Sequence, residues 1–528
     1  MNASAPPSGS PHTDPELAGL RKLVKSEPRN AKAHAALGIV LQRNGLLEEA
    51  LASQQRALKL DRSLTGLYPL MAPVLRALGR HAEAIDAYRA ALLAEPDNPA
   101  LHHGLSDSLL ASGDASAALS SARTACTLAP ANPDYHLGAA AVLHALGDYL
   151  GAADSFNAAL ALQPDNLAAL LDLGASYYRA NRYPEAVTAF QRVLEVEPDN
   201  VDALTNLGSS LREAKRLDEA LAAYQRALAL RPDHHVVLRD MGMAHYWLGH
   251  DEQSLACLRR AAELAPDDPL GRRYLAYVLH ESGYPEEALE QYRRLVALAP
   301  DSPEDYSMML FALSHCTEDP AELFQAHLGF AERWEKPLLA LRKAHPNPRD
   351  PARRLKVGFV SADLYNHAVT TFIEPIFALL GDSPELALFV YYNNITEDLA
   401  TARLRGHVAQ WRSIYRMGDE QVEELIRADG IDVLIDLHGH TPLHRLTLFA
   451  RKPAPVQASW IGYAGTTGLQ AMDYYIADGF ALPEGAYDDQ FSESIARLPL
   501  GAPFEPFALA PPVGPLPALA NGFLTFGS

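Results

Sequence analysis

Imidazoles, carboxylates, hydroxyls and glycines collect in three short stretches of the C-terminal half of the chain. These are Ser361-Ala362-Asp363-Leu364-Tyr365-Asn366-His367, Asp436-Leu437-His438-Gly439-His440-Thr441 and Gly462-Tyr463-Ala464-Gly465-Thr466-Thr467-Gly468. An imidazole changes charge near neutral pH and can serve as a general base, and glycine lets backbone N–H groups approach a ligand closely. The combination suits a hydroxyl-rich or phosphate-bearing ligand. Each residue also has a plainer use: His367 can satisfy a backbone carbonyl, Asp436 can cap the following helix, and the glycines can be turn residues. Val357-Gly358-Phe359-Val360-Ser361 lacks a dinucleotide fingerprint and no Gly-Lys-Ser/Thr P-loop occurs, so neither hydride nor ATP chemistry is indicated. His438 and His440 with Asp436 have no further defined ligand set, and no metal site is expected.

Those stretches fall where strands should end. Apolar runs predict strands at Leu355–Val360, Leu386–Tyr392, Trp411–Tyr415, Ile431–Leu437, Val456–Ile461 and Tyr474–Ala477. Between them lie helices at Thr371–Leu380, Thr401–Val408, Asp419–Ala428 and Leu443–Phe449. Short apolar strands alternating with amphipathic helices call for a parallel sheet covered on both faces. Residues 351–520 are thus expected to form a Rossmann-like lobe, whose ligands sit at the carboxyl ends of the strands. Ahead of it, 303–350 reads as a helical connector ending in the Pro- and charge-rich hinge His345–Arg354.

The N-terminal half follows another grammar. Pro96, Pro130, Pro164, Pro198, Pro232, Pro266 and Pro300 stand 34 residues apart. A small residue recurs in register at Ala50, Ala84, Ala118, Ala152, Ala186, Ala220, Ser254 and Ala288, and a glycine at Gly45, Gly79, Gly113, Gly147, Gly249 and Gly283. This is the tetratricopeptide spacing, two helices and a turn per unit. Eight units run over 31–302, preceded by a disordered tail and lead-in over 1–30, and predict a superhelical solenoid whose groove favours an extended peptide. Pro69 and Pro73 fall within the first helix of the second unit, so a broken or shifted helix is expected there.

Composition narrows the partners. The chain has 528 residues with 45 Lys plus Arg against 65 Asp plus Glu, a net charge of −20, which repels nucleic acid and anionic membrane. Cys126 and Cys257 read as packing residues, and with no candidate signal peptide or membrane span the compartment is expected to be cytoplasmic.

The segment Asp429-Gly430-Ile431-Asp432-Val433-Leu434-Ile435-Asp436-Leu437-His438-Gly439-His440-Thr441, followed by Arg451-Lys452-Pro453-Ala454-Pro455-Val456-Gln457 and Trp460-Ile461-Gly462-Tyr463-Ala464-Gly465-Thr466-Thr467-Gly468, strongly resembles protein O-linked N-acetylglucosamine transferases and their bacterial and SPINDLY-like relatives. That family has a tetratricopeptide array ahead of a GT-B glycosyltransferase, so the resemblance covers about 31–528. It implies inverting, metal-independent transfer of a sugar, N-acetylglucosamine or fucose, from a nucleotide-diphosphate donor such as UDP-N-acetylglucosamine to Ser or Thr of acceptor proteins, with no cofactor. It implies catalytic roles for His367, Asp436 and His440, and donor or substrate contacts from Thr441, Gly462, Tyr463, Gly465, Thr466 and Thr467. Ala464 and His444 depart from the usual Pro and Asn. The family's asparagine ladder maps to the sixth position of each repeat, where only Asp172, Asn206 and Asp240 are successive polar residues, giving an expected acidic peptide groove. Asn521–Ser528 resembles the first strand of a second, donor-binding lobe cut short, so the chain is expected to be a fragment. The competing expectation is a tetratricopeptide interaction scaffold with an incomplete, inactive transferase half.

Overall fold

The computed structural model describes residues 15–350 and 352–502. The expected tail over 1–14, the end of the lobe and the expected strand at 521–528 lie outside the described residues. The chain divides into two compact units at His250 and Asp251.

The first unit is a series of helix pairs with the predicted period. Five first helices open on an N-cap that satisfies an otherwise orphaned amide: Asn30, Asn166 and Asn200 accept from the N–H three residues on, Asn98 and Asn132 from two residues on, whereas Leu67 and His234 make no such side-chain bond. Such a cap contributes about 1 kcal/mol. The turn inside each pair needs a left-handed residue. Glycine provides it at Gly45, Gly79, Gly113 and Gly147, while Asn181 (φ 59°) and Lys215 (φ 62°) adopt it in the two units without glycine. The recurrent small residue is fully buried from Ala50 through Ala220, where helix meets helix.

The lead-in departs from expectation, and the second repeat is shifted as expected. Pro15–Ser26 is a helix, not a disordered lead-in: Leu17 is buried and packs with Leu20 and Val24 against Leu37, Val40 and Leu41. In the second repeat, Thr65–Leu67 forms a 3₁₀ turn and the α-helix starts at Tyr68. That helix has 10 residues against 13 elsewhere. Pro69 thereby falls in the first turn, where a missing N–H costs nothing.

The second unit holds the remaining repeat helices and a sheet of seven strands in the order β3-β2-β1-β4-β5-β6-β7. They are β1 (Leu355–Ser361), β2 (Leu386–Tyr392), β3 (Gln410–Ser413), β4 (Val433–Asp436), β5 (Val456–Trp460), β6 (Tyr474–Asp478) and β7 (Ser494–Leu498), with every pairing parallel. β7 was not foreseen. The helix Ala368–Leu380 covers one face through Ile373 and Phe377, against Phe359, Leu388 and Val390. On the other face, Asp419–Asp429 and Leu446–Ala450 pack with Phe389, Tyr391 and Leu434. Leu310 and Phe330 join that second core, so the helices Pro303–Cys316 and Pro320–Phe330 are a structural layer of the lobe rather than a linker.

Candidate functional site

Strand order decides which loops meet. β1, β4 and β5 are adjacent, so the three polar stretches lie side by side at the carboxyl edge of the sheet, as a doubly wound sheet requires.

His367 is the N-cap of Ala368–Leu380, with extended backbone, and its Nδ1 accepts the Val369 N–H at 3.3 Å. Its side chain is 38% exposed, and Tyr365 lies against it at 5.6 Å between ring centroids. Asp363 Oδ2 is 3.8 Å from the same Nδ1. Burial pushes the Asp363 carboxyl above its ordinary range, opposed by the charge of His367.

The β4 loop is turned inward. Asp436 is fully buried and accepts from the amides of His438 (3.2 Å) and Gly439 (2.7 Å) and from Ser459 Oγ (3.1 Å). Burial raises its pKa to about 6 despite those bonds. It caps its own loop and not the following helix, and with its oxygens committed beneath the surface it is a poor base for an external hydroxyl. His440 is also completely buried. Its Nε2–H donates to the Thr467 carbonyl (3.0 Å), which leaves Nδ1 to accept from Ser307 Oγ (2.8 Å). Both nitrogens are used, and burial pushes the ring well below its ordinary pKa, so His440 ties the connector helix to the lobe instead of performing chemistry. His438 accepts the Ala362 N–H at Nε2 (2.6 Å), so its proton resides on Nδ1, which faces Thr441 Oγ1 at 3.0 Å. Burial lowers its pKa to about 3. Thr441 itself is half-buried and donates to the His438 carbonyl.

The β5 loop divides in two. Tyr463, Thr466 and Thr467 point inward, contrary to a ligand-contacting role for their side chains. The Tyr463 hydroxyl donates to His327 Nε2 (2.9 Å). Thr466 Oγ1 donates to Glu493 (2.6 Å), and Glu493 also accepts from the backbone N–H (2.8 Å) and hydroxyl of Thr467. The amides of Gly462, Thr467 and Gly468 are already bonded within the protein. Gly462 is required by packing, since a Cβ there would overlap the Leu437 carbonyl. Ala464 is the exposed residue of this loop, and with Gly465 and Thr466 it lines, beside Leu323, Phe324, Tyr487 and Phe491, a cavity of about 220 Å³. Glu493 was missed, because its partners lie 26 residues away and nothing local marks it. No group of three or more His, Cys, Asp or Glu among the described residues is placed to hold a metal ion, and no described helix is long and apolar enough to cross a membrane.

In the groove positions, Asp172 and Asn206 are exposed as expected, and burial of part of the Asp172 side chain raises its pKa. Asp240 departs from expectation. It is buried, accepts from Ser209 Oγ (3.1 Å) and Arg239 Nε (2.9 Å), and pairs with Arg212 at 3.4 Å. A carboxylate flanked by two guanidinium groups has little attraction left for a basic peptide.

Residues 300–502 match glycosyl transferase family 41, and tetratricopeptide repeats match over 17–64, 70–133, 103–167, 171–235 and 211–276. The family match begins ahead of the sheet, at the helices that complete its core. The chain is 37% identical over 225 residues to the probable UDP-N-acetylglucosamine–peptide N-acetylglucosaminyltransferase SPINDLY of Petunia hybrida, and 36% identical to that of Arabidopsis thaliana. Each alignment covers 42% of this chain and 24% of the relative, so the chain spans about a quarter of those proteins. Among solved structures, a variant of the Thermobaculum terrenum O-GlcNAc transferase superposes with a TM-score of 0.53 at 32% identity, covering 60% of either chain. The chain therefore carries a glycosyl transferase family 41 domain behind a tetratricopeptide array.

Proposed function

We propose that this chain, a family 41 domain behind tetratricopeptide repeats, is the acceptor-side part of a protein O-glycosyltransferase that moves N-acetylglucosamine from UDP-N-acetylglucosamine to Ser or Thr. The observation that carries the reading is the strand-end edge itself. Of the histidines gathered there, His438 and His440 are buried with both nitrogens committed, and His367 alone is accessible. His367 is then the general base. Its imidazole takes the acceptor hydroxyl proton as that oxygen bonds to the anomeric carbon from the face opposite the diphosphate. The bond to the diphosphate breaks with its electron pair, and configuration inverts. No metal or cofactor takes part. Thr441 and the Ala464–Gly465 backbone border the sugar, while Asp436 and His440 act beneath the surface by holding the β4 loop in place. The repeats hold the acceptor as an extended segment, in a cytoplasmic setting.

The test is transfer of labelled sugar from UDP-N-acetylglucosamine to an acceptor protein, with His367→Ala compared against wild type in the protein that carries this chain. A positioned proton-transfer group is worth at least ~100-fold in turnover. An equal rate removes His367 from the mechanism, and no transfer by the wild type favours a scaffold.

A further inference from the structure

A base that receives a proton on its outward nitrogen must carry its own proton on the inward one. In this structure the inward nitrogen of His367, Nδ1, accepts the Val369 N–H at 3.3 Å, which places the ring proton on Nε2 and blocks that role. A second partner faces the same nitrogen. Asp363 Oδ2 stands 3.8 Å away, on a residue whose backbone is fixed at both ends: its N–H donates to Ser361 Oγ and its carbonyl accepts from Thr370 Oγ1, each at 3.0 Å. The carboxylate is mostly enclosed, at 18% exposure. Its other neighbour, His438 Nδ1, is 3.5 Å away and already has Thr441 Oγ1 as a closer partner.

We propose that Asp363 is the positioning residue of His367: its carboxylate draws the ring proton onto Nδ1, in competition with the Val369 amide, and so frees the Nε2 lone pair for the acceptor hydroxyl. The inference rests on the reading of His367 as the base. Closing the gap from 3.8 Å to a charge-assisted bond of about 2.8 Å asks for a shift of roughly 1 Å and gives up only a long cap bond. When Nε2 takes the acceptor proton, the imidazolium faces the Asp363 carboxylate. Of the other groups at this face, the Tyr365 ring carries no charge and buried His438 stays neutral, so neither repels the new cation.

The experiment is long-range proton–nitrogen NMR of the histidine rings, which reads the tautomer directly on this chain and needs no turnover. Hydrogen bonds to charged groups are worth enough to shift a tautomer ratio about tenfold. Asp363→Asn should move His367 toward the Nε2–H form by that factor, Asp363→Glu should restore part of it, and unchanged signals of His440, which bonds Ser307 and Thr467 and not Asp363, would show that the lobe remains folded. In the transfer assay Asp363→Asn should lower kcat at least ~10-fold with KM unchanged. An identical His367 tautomer ratio in wild type and Asp363→Asn overturns the proposal whatever the activity. A shifted ratio alongside full activity of His367→Ala instead overturns the assignment of His367 as base, and with it any catalytic use of the pair.

Discussion

Lowering the pH from 7 to 5 should destabilise the second unit by several kcal/mol through histidines that the fold keeps neutral. His327, His438 and His444 are buried, and burial depresses their pKa values to about 4, 3 and 4, while His440 is pushed well down for the same reason. A base whose folded pKa lies below its unfolded value stabilises the fold above the unfolded pKa, near 6.5, and loses that stabilisation as pH falls toward the folded value. Between pH 7 and 5 the unfolded ring gains its proton and the folded ring does not, which costs roughly 2 kcal/mol per histidine. Asp436 works in the opposite sense. Its folded pKa is raised to about 6, so protonation over this range returns about 1 kcal/mol. The three valued histidines outweigh it, leaving a net loss of roughly 5 kcal/mol against a typical domain stability of about 5–15. Urea unfolding at both pH values, followed through Trp334, Trp411 and Trp460, measures the difference directly. His444→Leu removes one titrating ring and should shrink that difference by about 2 kcal/mol. Equal unfolding free energies at pH 7 and 5 would refute the claim that these rings stay neutral in the fold.

Asp240→Ala should lower stability by about 1.5–3 kcal/mol, since it removes a buried carboxylate that accepts from Ser209 Oγ and Arg239 Nε and pairs with Arg212, which keeps Glu213; thermal melting reads this, and an unchanged Tm would place the cluster outside the stability balance. Asp172→Ala, by contrast, should leave the melt unchanged and weaken Lys/Arg-rich peptides by at most ~1 kcal/mol at low salt, fading as salt rises; titration calorimetry at two ionic strengths decides. Gly462→Ala should cost more than ~2 kcal/mol, because the added methyl meets the Leu437 carbonyl and two loops must part. Glu493→Ala should cost about 2–4 kcal/mol by orphaning the N–H and hydroxyl of Thr467, while Thr466 keeps Ser492, seen as faster amide exchange across residues 462–469.

Much of this arrangement could be read from residue order, because periodicity and strand alternation report which face a residue occupies. The 34-residue register placed the buried alanines correctly, and the alternation from Leu355 to Ala477 put the three polar loops on one edge. What periodicity does not report is the neighbour across the chain. Asp172 and Asp240 share a repeat position, yet one is exposed and the other buried, because Arg212 one unit earlier and adjacent Arg239 close over Asp240. The inward turn of Asp436 and His440 escaped notice for the same reason, since Ser307 and Ser459 lie far away in sequence. β7 was missed because Ser494–Leu498 is short and interrupted by Arg497, and the helix Pro15–Ser26 because only one face of it is apolar.

The bond between Ser307 and His440 has an evolutionary corollary. Pro303–Cys316, which supplies Ser307, begins 34 residues after Pro269–Glu281 and so occupies the place of the next repeat's first helix while belonging to the core of the lobe. The last helix of the array is therefore fixed to the lobe, and a unit gained or lost elsewhere in the array leaves that joint as it is. Descendants of such a gene are free to change the reach of the array, and with it the repertoire of proteins it engages, while the edge carrying His367 is inherited untouched.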